Sequence, residues 1–187
     1  MLDRNHASWF ALRVRSRHEK VASSVLESKG FEQFLPTYRT RRKWTDRLKD
    51  LELPLFPGYI FCRFHPKSRA GVLDTPGVVD IVGFGKTAAE VDAAEIDALK
   101  RVVTSKLSCE PWERLTVGET VRIEDGPLEG LEGKIVEVKK SVRLVLSVTL
   151  LQRSVLVEID RNWVVPAEGD AVAHPQPQPR NLGRGTA

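Results

Sequence analysis

Cysteine is almost missing from this chain. Cys62 and Cys109 are the only two in 187 residues, far apart, and neither sits in a CxxC. That argues against a disulfide framework, suits a reducing cytosol, and assigns both thiols a structural role. Long apolar runs are missing too. None approaches the roughly 18 to 20 residues of a membrane span, so no membrane association is expected. Residues 1–7 are polar and lack the apolar core of a secretory signal. A cytoplasmic protein is the expectation.

Catalytic signatures are also lacking. There is no HExxH, GxSxG or GxGxxG. The stretch "GFGKT" (83–87) fails as a phosphate loop, because Asp80 stands where the first glycine is needed. His6, His18, His65 and His174 are scattered and do not have metal-ligand spacing. No catalytic residue, metal or cofactor is expected, and an enzyme is the disfavoured class.

What is present starts with charge. Lys and Arg number 29 against 25 Asp and Glu, a net +4. The excess base lies in residues 1–105, while 115–166 is close to balanced, which points to polyanion contact in the N-terminal half.

Along the chain, "SWFALRV" (8–14) reads as a strand with Phe10, Leu12 and Val14 on one face. A helix follows, with Ser16 and Glu19 spaced as a capping box and Val21, Ala22, Val25 and Leu26 as its buried stripe. Residues 31–56 read as strand, polar hairpin, strand. Pro66 begins a short helix through Leu73, and 77–85 is another strand. A helix over 91–107 has Asp92 and Glu95 spaced as a second capping box, with Ile96, Leu99, Val102 and Val103 apolar. "SCEPWER" (108–114) breaks the pattern and reads as a linker. From Leu115, Val, Leu and Ile recur at two-residue spacing between glycine turns, which predicts about five strands closing into a small barrel. The Pro/Gln/Gly tail is expected to be disordered. The predicted class is α+β: an N-terminal antiparallel sheet with helices on one face, then a five-stranded β-barrel. The expected units are 7–107, a linker 108–114, a barrel 115–166 and a tail 167–187.

One strand departs from the usual alternation. In "PLFPGYIFCRF" (54–64), Ile60, Cys62 and Phe64 point one way while Tyr59 and Phe61 point the other, so both faces are apolar. This stretch, followed by "PGVVDIVGFG" (76–85), resembles the N-terminal domain of the NusG family of transcription elongation factors. "VGETVRIEDGPLEGLEGKIVEV" (117–138), with Gly126, Gly130 and Gly133 at its turns, resembles the KOW motif of the same family, and "SVTLLQRSVLVEID" fits the rest of that barrel. The likeness covers about residues 8–166.

The resemblance implies a monomeric factor that docks on the clamp helices of the largest RNA polymerase subunit and suppresses pausing. Ile60, Cys62, Phe64, Phe10, Leu12 and Val14 would form the internal core. Phe56, Tyr59 and Phe61, with Ile96 and Leu99 at the rim, would form the docking face. Arg15, Arg17, His18 and Lys20, with the hairpin residues Arg39, Arg41, Arg42, Lys43 and Arg47, would face upstream or non-template DNA. Trp44 could stack on a base. Leu128, Leu131 and Arg153 would bind a second partner, in the family a small-subunit ribosomal protein or Rho. Leucines stand where the general factor favours phenylalanines, and Leu151-Gln152 where it favours Phe-Gly. This departure weighs against Rho. Together with "LFPGY" and the short Pro66–Gly77 linkage, it leans toward specialised paralogs of the RfaH/UpxY type, although dense β-branched residues in 115–166 argue for a barrel rather than a helical hairpin. The rival class is a ribosome- or RNA-binding KOW protein without polymerase binding.

Overall fold

A computed structural model of the protein describes residues 7–44, 47–85, 87–112, 118–138 and 141–167. The expected tail lies outside the described residues except for Ala167, whose N–H donates to the Thr120 carbonyl at 3.0 Å. Among the described residues no helix is long and apolar enough to cross a membrane.

Strand β1 (Ser8–Val14) leads into α1 (Glu19–Ser28) and β2 (Glu32–Phe34). A hairpin, β3 (Thr37–Trp44) and β4 (Arg47–Pro54), precedes β5 (Tyr59–Phe64). Then come α2 (Arg69–Leu73), β6 (Val78–Ile81), the short β7 (Gly83–Phe84), β8 (Thr87–Ala88) and β9 (Glu90–Val91), and α3 (Ala93–Ser105). The first sheet has the order β2-β5-β1-β6, with β9 also on β1. Its pairs are antiparallel, Phe10 opposite Cys62 and Leu12 opposite Ile60.

Strand alternation sorts the side chains of this sheet onto two faces. Phe10, Leu12, Val14, Ile60, Cys62 and Phe64 gather with Ala22 and Leu26 of α1 and Val72 of α2 in one buried cluster. These are the six residues expected as core. Trp9, Ala11 and Phe61 point the other way and meet Ile96, Leu99 and Val102 of α3. The sheet thus carries helices on both faces, which corrects the expectation of helices on one. The stripe of α3 demanded a cover but did not say which side of the sheet would provide it.

Local caps differ from expectation in informative ways. Ser16 does not cap α1. His18 occupies the cap position with no side-chain cap bond, after Arg17 turns left-handed at φ 65°. The buried stripe of α1 is Glu19, Ala22, Ser23 and Leu26, and Val21 is 54% exposed. On α3 the cap is as expected: Asp92 accepts from the Ala94 N–H at 2.8 Å.

The second sheet contains β10 (Cys109–Trp112), β11 (Thr120–Ile123), β12 (Glu132–Val138), β13 (Ser141–Val148), β14 (Arg153–Glu158) and β15 (Val164–Pro166). Their order is β10-β14-β13-β12-β11-β15, all antiparallel. The segment 108–114 was expected as a linker, yet Cys109–Trp112 is an edge strand on β14, tied further by Arg143, which donates to Glu110. Proline at position 111 is tolerated because an edge strand leaves one side unpaired. Gly126 makes the turn before β12 at φ 80°, and a Cβ there would meet the Trp163 indole at 3.0 Å. Only glycine suits both demands.

Candidate functional site

The "LFPGY" turn is held from two sides. The Gly58 carbonyl accepts from the Val14 N–H at 2.8 Å, and the Gly58 N–H donates to Glu19 Oε1 at 3.0 Å. Gly58 itself has φ 84°, a conformation that glycine adopts without strain. Glu19, read from spacing as a helix cap, is instead a 6%-exposed anchor for this turn. The turn sets Phe56 edge-on to Phe61 at 5.7 Å, and Phe61 lies near-parallel to Phe34 at 6.3 Å. Tyr59 stands at the margin, half-buried.

The expected docking residues therefore come together. Phe56, Phe61, Ile96 and Leu99 belong to one buried cluster, with Tyr59 packed against it. They are not left bare: Phe56 is 1% exposed and Phe61 0%. The same cluster runs on without a break into Ile123, Leu128, Val148 and Val155, with Leu131 packed against it. Part of the cover is α3, and the rest is the second sheet.

The margin of this seam is polar. The guanidinium of Arg153 lies 5.1 Å from the Tyr59 ring centre, within reach of a cation–π attraction. Glu95 Oε1 accepts from the Thr149 N–H at 3.1 Å and from its hydroxyl at 2.6 Å. Arg101 donates to the carbonyls of Pro127 and Glu129, at 3.4 and 2.5 Å, on either side of Leu128. The residues expected to bind a second partner, Leu128, Leu131 and Arg153, thus lie against those expected to bind the first. Glu95, Arg101 and Thr149 were not foreseen. Its spacing assigns Glu95 to capping, and nothing local in the sequence marks the other two.

The basic residues form a second feature. Arg15, Arg17, His18 and Lys20 are exposed. Lys20 reaches Glu52 of β4 at 3.2 Å, which brings the start of α1 beside the hairpin. Glu52 also accepts from Thr37 at 2.7 Å, and the hydrogen bonds from Thr37 and Lys20 hold its carboxyl below the ordinary carboxylate value. On the hairpin, Arg41 pairs with Asp50 at 2.8 Å, and Arg39 sits on the same strand. The side chains of Arg42, Lys43, Trp44 and Arg47 lie outside the described residues.

Known proteins resemble this chain over most of its length. The family described as "Transcription termination factor nusG" matches residues 7–100. The transcription termination/antitermination protein NusG of Pseudomonas aeruginosa is 30% identical over 156 residues, covering 81% of this chain and 88% of that protein. That of Lactococcus lactis is 28% identical over 169 residues, covering 83% and 91%. A solved structure of Thermotoga maritima NusG, described as one of domain interaction, is similar in fold. Its TM-score is 0.55 at 19% identity, covering 88% of this chain and 99% of that one.

Proposed function

Because the chain belongs to the NusG family, we propose that its apolar seam is the docking surface of a transcription elongation/antitermination factor. In this reading Phe56, Tyr59, Ile96 and Leu99, supported from beneath by Phe61, grip the clamp helices of the largest RNA polymerase subunit. The factor makes and breaks no bond. It holds the clamp and disfavours pausing. Arg15, Arg17, His18 and Lys20 and the β3–β4 hairpin, with Arg39, Arg41, Arg42, Lys43 and Arg47, take phosphates of upstream or non-template DNA, which gives affinity without sequence reading. Residues 115–166 act as a KOW barrel that recruits a second partner through Leu128, Leu131 and Arg153. A small-subunit ribosomal protein suits the leucine turn better than Rho. The protein works as a cytoplasmic monomer without cofactor or metal.

The observation that carries this reading is the aromatic and aliphatic character of the sheet face opposite α1 and α2. Phe56, Tyr59, Phe61, Ile96 and Leu99 converge there, and aromatic anchors ringed by polar groups are what protein interfaces use. Beside it, the Lys20–Glu52 contact gathers the basic residues of α1 and of the hairpin.

A binding experiment with purified RNA polymerase tests it. Binding is expected to survive removal of residues 115–187 and to fail in Tyr59→Ala with Ile96→Ala. Binding to ribosomes alone, with no binding to polymerase, would replace the reading with the rival KOW class.

A further inference from the structure

We infer that Lys29 is the positioning residue of the basic loop at the start of α1: it touches no nucleic acid, and it fixes Arg15 and Arg17 in the geometry that takes phosphates. This rests on the nucleic-acid reading above and adds a residue, at the other end of the helix, that the reading does not contain.

The loop is strained and its arginines are uncommitted. Arg17 has φ 65°, a left-handed conformation that is costly for any residue with a Cβ. Such strain persists only where the surroundings over-determine it. Here the Arg15 N–H donates to the Gly77 carbonyl at 2.8 Å, the His18 N–H to the Arg15 carbonyl at 3.0 Å, and His18 Nδ1 to the Ser16 carbonyl at 3.1 Å. The side chains of Arg15 and Arg17 are exposed and, among the described residues, make no hydrogen bond or ion pair. Lys20 and Arg41, by contrast, already hold Glu52 and Asp50. Two free guanidiniums on a fixed backbone suit phosphate oxygens, because little freedom is left to lose on binding.

Lys29 is what holds Gly77 in place. Its ammonium has three N–H donors, and the end of α2 takes all three: the Gly71 carbonyl at 3.0 Å, the Asp74 carbonyl at 3.0 Å and the Thr75 hydroxyl at 3.2 Å. The Asp74 carboxylate is 4.0 Å away and 92% exposed, so the carbonyls and the hydroxyl anchor the ammonium. Thr75 is buried, and its carbonyl accepts from the Val78 N–H at 3.0 Å, which closes the turn that contains Gly77. The segment 71–77 therefore spans α1 from cap to cap. Lys29, the C-cap residue, grips one end. His18, the N-cap residue, lies against the other, where a Cβ on Gly77 would come within 2.9 Å of the His18 Cβ. Releasing Lys29 frees this segment, and with it the carbonyl that pins Arg15.

The test titrates the full chain with a short mixed-sequence DNA duplex over a range of salt. Arg15→Ala combined with Arg17→Ala should weaken binding and lower the slope of log affinity against log salt by about two, ~0.9 for each phosphate given up. Lys29→Met should weaken binding about tenfold at every salt concentration with the slope unchanged, because the competent loop is populated less while its contacts stay the same. Added to the arginine pair, Lys29→Met should cost nothing further. A slope lowered by about one would make Lys29 itself a phosphate ligand and overturn the inference. An equal further loss in the arginine-free background, the mark of general damage to the fold, overturns it too, as does an unchanged affinity in Lys29→Met alone. Gly77→Ala cuts the same link at its other end and takes the place of Lys29→Met in each comparison if that variant does not fold. If the wild type does not bind the duplex, the nucleic-acid reading falls, and amide exchange at Arg15 judges the hold of Lys29 on the loop: faster exchange in Lys29→Met supports it, unchanged exchange overturns it.

Discussion

The first sheet is dry on both faces, but the two are closed by different means. On the face of Phe10, Leu12 and Ile60, the cover is α1 and α2, which are short excursions of the same chain between strands of the same sheet. On the face of Phe56 and Phe61, part of the cover is α3, and the rest belongs to a second sheet that shares no backbone ladder with the first. The fractional exposure of Phe61 and of Leu12 is the same, 0%. Burial alone therefore does not distinguish a permanent core from the covered docking surface proposed above. The kind of cover does.

The largest effect expected from this contrast is on stability. Phe10→Ala should lower the free energy of unfolding by about 3–5 kcal/mol, the range for deleting a packed phenylalanine. Tyr59→Ala, at the seam margin, should cost under about 1.5 kcal/mol and still abolish polymerase binding. Urea melts of the two variants sharpen the comparison. Equal losses would erase it.

Next comes the anchor of the Gly58 turn. Glu19→Ala leaves the Gly58 N–H without its carboxylate and should cost about 1–3 kcal/mol, the penalty for stranding a buried polar partner. Amide exchange at Gly58 should accelerate in the same variant. A similar but smaller loss, about 1–2 kcal/mol, is expected for Gly126→Ala, because a side chain at φ 80° is strained. This change acts on the second sheet alone, so thermal melting should leave the Phe10 cluster of the first intact.

The smallest effect at neutral pH comes from the thiols. Burial, then the charge of Glu32, pushes the Cys62 thiol up to about 12 from its ordinary 9.0. Burial, then Glu110, pushes the Cys109 thiol upward too. The folded state therefore favours the protonated thiol of Cys62. Its contribution is fully present below pH 9.0 and is lost as the pH climbs toward about 12. Stability should be insensitive to Cys62 ionisation at pH 7 and fall in that alkaline window. Half-buried Cys109 should react with a thiol reagent before Cys62, which lies in the permanent face. Faster labelling of Cys62 would mean that this face opens.

Strand parity was legible because its period is two and each miss would flip a whole face. Phe10, Leu12, Val14, Ile60, Cys62 and Phe64 all fall in one cluster as expected. Local spacing misled where a distant partner competed for the same side chain. Glu19 and Glu95 both have capping-box spacing, but Glu19 is taken by Gly58 and Glu95 by Thr149, 39 and 54 residues away. Val21 satisfies helical periodicity, yet α1 is rotated so that it faces solvent. Pro111 suggested a break in the chain, which an edge strand accommodates. Above all, the apolar second face of β5 called for a cover, and nothing in the alternation of residues 54–64 could say that the cover would come from residues 121–157.

The most direct test is hydrogen exchange on the full chain, free and bound to RNA polymerase. When polymerase is bound, peptides spanning residues 54–61 and 93–102 should stay protected, because one cover is exchanged for another. The turn at 126–131 should lose protection as the second sheet swings clear. If that turn keeps its protection in the complex, the seam is permanent core and polymerase docks elsewhere.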